Sequence, residues 1–301
     1  MKFEGIIPPI ITPINSDHSL DEDGFATVIE YMIDNGVHGI IVGGTTGEFY
    51  ALSAEERIRQ FKVAKDVING RASFICGVND ITTGGVCGFG EAAHDAGADG
   101  ILVAAPYYSL PTEKEHAAHC LAVEKAAGLP IMLYNYPGRT GVTMGEEFLD
   151  IVSANSNIKS IKEASGDIDR LHLLANNYPG IELSCGAEDQ ALEFFVWGAT
   201  SWVTPMGNFF AGEVVALYDT CVVQKDFVKA RRIMSALLPL TTVLEGGGQL
   251  IQCTKVACEL YGIPAGTVRP PMQPLDEENA DSLREVLASA KTAIQAILSE
   301  G

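Results

Sequence analysis

The chain has 301 residues, 47% hydrophobic and 20% charged, enough apolar content for one large domain or two small ones. Twenty Lys and Arg stand against 39 Asp and Glu, a formal net charge of −19, so the long-range field repels polyanions and disfavours nucleic acid and acidic membranes as partners. The same field slows small anions, so an anionic substrate needs a local cradle of cations or backbone N–H groups.

At the N-terminus, Pro8, Pro9 and Pro13 interrupt the apolar run of "MKFEGIIPPIITPINSDHSL", which has no cleavage pattern of small residues and reads as no signal peptide. The first candidate strand is Ile6–Ile11. "LDEDGFATVIEYMIDNG" follows as a helix, with acids in its first turn and Gly36 as its stop, and leads into a strand at Gly39–Val42. "SAEERIRQFKVAKDVING" is the next helix, with Ser53 as N-cap and Glu56 completing a capping box. Further strands are expected at Phe74–Val78, Gly100–Ala104, Ile131–Asn135, Ile158–Lys162, Ile181–Cys185 and Ser201–Thr204, separated by helix-like segments. The junctions "DNGVHGIIVGG" and "DAGADGILVAA" repeat one helix-to-strand turn in which glycine ends the helix. Eight such units predict a (β/α)8 TIM barrel over residues 1–224, since an open doubly wound sheet more often has five or six strands. Residues 225–301 contain no further strand run and read as a C-terminal helical region packed on the barrel, crossed by the proline-rich "VRPPMQPL". No apolar stretch is long enough to span a bilayer. Seven dispersed cysteines without a CxxC fit reduced thiols and a cytoplasmic location better than a disulfide framework or a zinc site.

A barrel of this kind carries its active site at the C-terminal ends of the strands, which filters the candidates. Strand two ends in "VGGTTGEF", where Gly43, Gly44 and Gly47 let backbone approach a ligand and Thr45 and Thr46 add hydroxyls; an ordinary glycine-rich turn is the alternative. Strand four ends in "AAPYYSLP" with Tyr107 and Tyr108, which could equally cap the rim. Strand five ends in "LYNYPGRTG", giving Tyr134 at its tip and Arg139 beyond, a planar fork suited to a carboxylate or to a surface ion pair. Strand six ends in Lys162, placed where the strand should still be buried, followed by Glu163. A desolvated lysine has a lowered pKa and is partly the neutral amine that attack on a ketone requires, and a neighbouring tyrosine can move the protons. These arguments point to Schiff-base chemistry on a 2-oxo acid but leave open a structural lysine paired with Glu163 or another acid.

"GGTTGE", "PYY", "YNYPGRTG" and "IKEASGD", in this order and each at a strand end, resemble the dihydrodipicolinate synthase and N-acetylneuraminate lyase superfamily of class I lyases, and "KVACELYGIPAGTVRPPMQPL" is similar to its C-terminal pattern. The resemblance implies that Lys162 forms the Schiff base and that Tyr134 shuttles protons to it. Thr45 and Tyr108 would complete a relay, with Tyr108 reaching into the neighbouring subunit of a homotetramer. Thr45 and Thr46 would hold the 2-oxo acid carboxylate, Arg139 the carboxylate of aspartate semialdehyde, with Gly44, Gly186 and Val203 also at the substrate. No organic cofactor and no catalytic metal are implied. The reaction so implied condenses pyruvate with aspartate semialdehyde to 4-hydroxy-tetrahydrodipicolinate. Its alternatives are cleavage or dehydration of a 2-keto-3-deoxy sugar acid, deamination of a pyrroline carboxylate, or, from another class, a non-catalytic protein that binds a 2-oxo acid. Phe49 and Tyr50 are bulkier than usual in lysine-biosynthetic relatives, and "VTPMGN" and "EGGGQLIQCTK" depart from the synthase pattern. Gly85 stands where a lysine-inhibited site carries an acid, which argues against feedback inhibition.

Other residues read as structural. His116 and His119, one turn apart, are expected on a helix surface for want of a third metal ligand. Glu188 and Asp189 are expected to be solvated, Trp197 and Trp202 to pack in core or rim, and Cys253 and Cys258 to be buried thiols.

Overall fold

A computed structural model describes residues 2–300. Eight parallel strands form one sheet in the order β1-β8-β7-β6-β5-β4-β3-β2: β1 (Gly5–Ile6), β2 (Gly39–Val42), β3 (Ser73–Gly77), β4 (Gly100–Ala104), β5 (Ile131–Asn135), β6 (Ile158–Glu163), β7 (Glu182–Cys185) and β8 (Ser201–Trp202). The sheet closes between its ends. His38 N donates to Ile6 O at 2.9 Å, Ile41 N to Pro8 O at 2.9 Å and Ile10 N to Ile41 O at 3.0 Å, so every strand has two neighbours and the architecture is a TIM barrel.

β1 and β8 are shorter than the sequence reading. Pro8 and Pro9 have no N–H, so the first strand cannot continue as a regular ladder past Ile6 and survives as one bridge to β2, Pro9 to Ile41. Asn208, from "VTPMGN", takes over: its side chain accepts from Ile11 N at 2.9 Å and donates to Pro9 O at 3.0 Å and Pro205 O at 2.8 Å. One buried amide thereby ties the irregular ends of β1 and β8 together.

Strand alternation sorts side chains into two apolar clusters. Phe3, Ile7, Ile41, Ile75, Leu102, Met132, Tyr134 and Val203 pack inside the barrel, while residues such as Ile40, Val42, Ile101, Val103, Leu133 and Ile161 meet the surrounding helices. The helix Ala54–Ile68 starts at Ser53 with the expected capping box closed by Glu56. His116 and His119 are not on a helix surface. Both are buried, His116 with its ring centroid 4.5 Å from that of Phe148 and His119 bonded through Nδ1 to Thr83 Oγ1 at 3.0 Å. The two rings fill the layer between helices, and burial pushes the pKa of His116 down to about 4, with His119 adding to the shift. Trp202 is core, whereas Trp197 is partly exposed and lies against His172.

After the barrel come the helices Phe227–Gly246, Leu250–Leu260 and Glu277–Ser299, the last burying Leu283, Leu287, Ala290 and Ile294 along one stripe. Cys253 and Cys258 are buried there. This region is anchored to the turn after β2 by a buried ion pair, Lys255 Nζ to Glu48 Oε1 at 2.6 Å. Thr267 O accepts a further bond from Lys255 at 2.5 Å, and Glu48 Oε2 accepts from Arg269 N at 3.1 Å. No helix among the described residues is long and apolar enough to cross a membrane.

Removing one member of a buried pair leaves the other uncompensated, at a cost of about 3–5 kcal/mol. Lys255→Ala is therefore expected to lower the unfolding free energy by that amount in urea titrations, and Glu48→Gln with Lys255→Met together to recover most of it.

Candidate active site

Pairing register places the chemistry. β6 lies between β5 and β7, with Tyr134 opposite Lys162 on one side and Ser184 opposite it on the other. Alternation along β6 turns Ser160 and Lys162 into the barrel and Ile161 and Glu163 out toward the helices. Glu163 is occupied there: it accepts from Asn135 Nδ2 at 2.9 and 2.8 Å and from Ser165 N at 2.8 Å, and pairs with Arg170 at 3.4 Å. The alternative in which Glu163 pairs with Lys162 is therefore not what the fold builds, and no ion pair among the described residues includes Lys162.

Lys162 is 7% exposed, with Nζ 4.2 Å from the centroid of the Tyr134 ring. Burial pushes its pKa down to about 8, against the Glu188 carboxyl, which pulls it up. Roughly a tenth of such an amine is neutral at pH 7, against less than a thousandth for an ordinary lysine. Burial pushes the Tyr134 phenol up, with Arg139 and the Thr45 hydroxyl acting the other way, so the phenol keeps its proton over the neutral range.

A cavity of about 270 Å³ opens over Lys162. Its walls include Gly44, Thr45 and Thr46 from the turn after β2, Tyr134, Tyr136 and Arg139 after β5, and Gly186 through Gln190 after β7. Gly43, at φ +75°, turns the chain so that Thr45 and Thr46 face it. Among the described residues the N–H groups of Thr45 and Thr46 donate to no protein acceptor, which leaves them for an anion. Arg139 stands at the mouth, its guanidinium 5.5 Å from the Tyr136 ring centroid. A second, more apolar cavity of about 200 Å³ shares Thr45, Tyr134, Tyr136 and Arg139 and is walled by Phe49, Tyr50 and Tyr107, which accounts for the bulk after "GGTTGE".

Seven of the nine expected site residues, Lys162, Tyr134, Thr45, Thr46, Arg139, Gly44 and Gly186, meet at the one cavity. Val203 instead packs in the barrel interior with Tyr134 and Ala164. Tyr108 lies outside the cavity, 96% exposed at φ +73°.

Glu188 departs from the expectation of a solvated acid. It is 2% exposed, accepts from Thr204 Oγ1 at 2.5 Å, and burial raises its pKa well above the usual carboxylate range. Its position, three residues past the end of β7 on the active face, was the available signal. Tyr136 and Glu245 also line the cavity unanticipated. Glu245 arrives on a helix of the C-terminal region, beyond the reach of a strand-end filter.

Gly186 has a steric role. A Cβ there would come within 2.8 Å of both Cγ and Cε of Lys162 and 2.9 Å of Ala164 Cβ, so only glycine lets the lysine run past β7. Gly186→Ala is expected to displace Nζ and slow borohydride-trapped adduct formation with a 2-oxo acid about 100-fold, with the fold retained by circular dichroism.

Comparison with known proteins gives the same picture over the whole chain. The profile of the Dihydrodipicolinate synthetase family matches residues 2–290. The 4-hydroxy-tetrahydrodipicolinate synthase of Salinibacter ruber is 35% identical over 283 residues, covering 93% of this chain and 92% of its own. The solved 4-hydroxy-tetrahydrodipicolinate synthase of Methylacidiphilum fumariolicum SolV superposes with a TM-score of 0.94 at 28% identity, covering 99% of each chain. YagE, a prophage protein of E. coli K12 solved in complex with pyruvate, gives 0.91 at 30% identity, covering 96% of this chain and 99% of its own. With the family profile spanning nearly its full length, and relatives above 30% identity covered almost end to end, the chain belongs to the dihydrodipicolinate synthetase family of class I aldolases and lyases.

Proposed function

We propose that this enzyme condenses pyruvate with aspartate semialdehyde through a Schiff base on Lys162, as a 4-hydroxy-tetrahydrodipicolinate synthase. The observation that carries the reading is a buried amine, without an ion pair among the described residues and with its pKa lowered to about 8, in a cavity that also presents an arginine. In this reading the neutral amine attacks C2 of pyruvate while its carboxylate lies on the Thr45 and Thr46 N–H groups. Tyr134, beside Thr45, donates a proton to the departing C2 oxygen, and water leaves. The iminium on Lys162 then acts as the electron sink that an organic cofactor would otherwise supply. Loss of a C3 proton gives the enamine, whose C3 attacks the aldehyde. Arg139 at the mouth holds the carboxylate of the incoming aldehyde with paired hydrogen bonds. The names and the pyruvate complex of relatives at 30% identity and above support this choice of substrates.

Tyr108 is proposed to serve a neighbouring subunit of a homotetramer. Its near-complete exposure and left-handed backbone support this, because a large aromatic held outward in a strained conformation needs a compensating contact. A second reading, cleavage or dehydration of a hydroxylated 2-oxo acid, is favoured by the carboxyls of Glu188, Asp189 and Glu245 in the cavity wall, which can hydrogen-bond hydroxyl groups.

Borohydride reduction with pyruvate, followed by peptide mapping, is expected to place one three-carbon adduct on Lys162; no adduct with pyruvate or any larger 2-oxo acid would overturn both readings. The initial trapping rate should climb with pH as the amine loses its proton and level off above about pH 8. Arg139→Ala is expected to lower condensation with aspartate semialdehyde about 100-fold while pyruvate trapping changes less than threefold. Equal loss of both would assign Arg139 to pyruvate instead.

A further inference from the structure

The proton relay built on Tyr134 serves the imine carbon, and leaves unassigned the one buried carboxyl in the same cavity. Tyr134 belongs to β5 and Glu188 follows β7, so the two stand on opposite sides of Lys162 on the intervening β6. Hydrogen-bond bookkeeping orients the carboxyl. Thr204 Oγ1 accepts from Met206 N at 3.1 Å, so its own hydrogen goes to Glu188 Oε2, 2.5 Å away. Oε2 is thereby an acceptor, and a proton carried by Glu188 must sit on Oε1, which has no partner among the described residues and is left for the cavity.

From this placement we infer that Glu188 is the proton donor to the oxygen that forms on the fourth carbon of the Lys162-bound substrate. The inference rests on the Schiff-base reading above and adds a catalytic residue to it. As enamine C3 bonds to the aldehyde carbon, the carbonyl π electrons move to oxygen, and that oxygen takes the proton from Oε1. Glu188 is left as a carboxylate, stabilised by the Thr204 hydroxyl, and recovers a proton from solvent, which balances the proton lost from C3. In the reverse direction the carboxylate removes the hydroxyl proton as the C3–C4 bond breaks. Burial favours the protonated carboxyl, and Glu245 and Asp189 add to that tendency against the Thr204 hydrogen bond and the Lys162 amine. The same device serves addition, cleavage and dehydration, because each needs a proton moved at that oxygen.

The test separates the two ends of the substrate. Glu188→Gln keeps the shape and the bond from Thr204 but removes the acid. In this variant, borohydride trapping of pyruvate and exchange of the pyruvate C3 hydrogens into D2O are expected to stay within about threefold of wild type. Addition to aspartate semialdehyde, or cleavage of 2-keto-3-deoxygluconate, is expected to fall at least 100-fold in kcat with little change in KM. Glu188→Asp, which retains an acid one methylene shorter, should recover at least tenfold over the Gln variant, and it carries the test alone if the Gln variant does not trap pyruvate, its carbon–carbon step falling at least tenfold further than its exchange. Parallel losses of exchange and carbon–carbon chemistry, or no loss, would overturn the assignment, as would a wild type that traps pyruvate but turns over neither probe. A wild type that traps no 2-oxo acid sinks the Schiff-base reading itself.

Discussion

Removal of water from the inner face of β6 at its C-terminal end is the constraint on which the site depends. A lysine in water is protonated and inert, and an acid in water is ionised at neutral pH. Closing eight strands around Lys162 penalises both charged forms. The amine is pushed down, and the Tyr134 phenol and the Glu188 carboxyl are pushed up. One physical effect therefore favours an uncharged amine and two uncharged acids within a single cavity, with no separate device for each.

That desolvation has to be held in place from outside the barrel. The turn after β2, which presents Thr45 and Thr46, is fixed through Glu48, and Glu48 is buried against Lys255 and the Arg269 backbone from the C-terminal region. Arg269 also bonds Glu56 and Ala51 O, clamping the first turn of the following helix and the short turn before it. The C-terminal helices thus position the turn that carries Thr45 and Thr46, and through Glu245 they add a carboxyl to the cavity wall. The C-terminal region, residues 225–301, is part of the candidate site's architecture even though it contributes no strand.

Much of this was readable in the chain. Strand positions followed from β-branched runs and glycine-ended helices, and the strand-end filter led to Lys162, Tyr134, Thr45 and Arg139 because parity and position along a short strand are local properties. The errors share a cause. His116, His119 and Glu188 are polar residues whose burial depends on what packs across from them: Phe148 and Thr83 in one case, Thr204 in the other. Composition assigns such residues to solvent, and only a tertiary partner overrides that assignment.

By itself, then, the sequence determined the alternation of strands and helices and the placing of Lys162, Tyr134, Thr45 and Arg139 at or just beyond strand ends on one face of the barrel, since these rest on residue type and on position along the chain. Tertiary structure alone decided that Glu163 is satisfied elsewhere by Asn135 and Arg170, and that Lys255 meets Glu48 across more than two hundred residues. It also decided that Glu188 is a buried acid lining the same cavity as the amine. The reason is that pKa and pairing are set by dielectric and distance in space, and neither quantity is written in the spacing of residues along a chain.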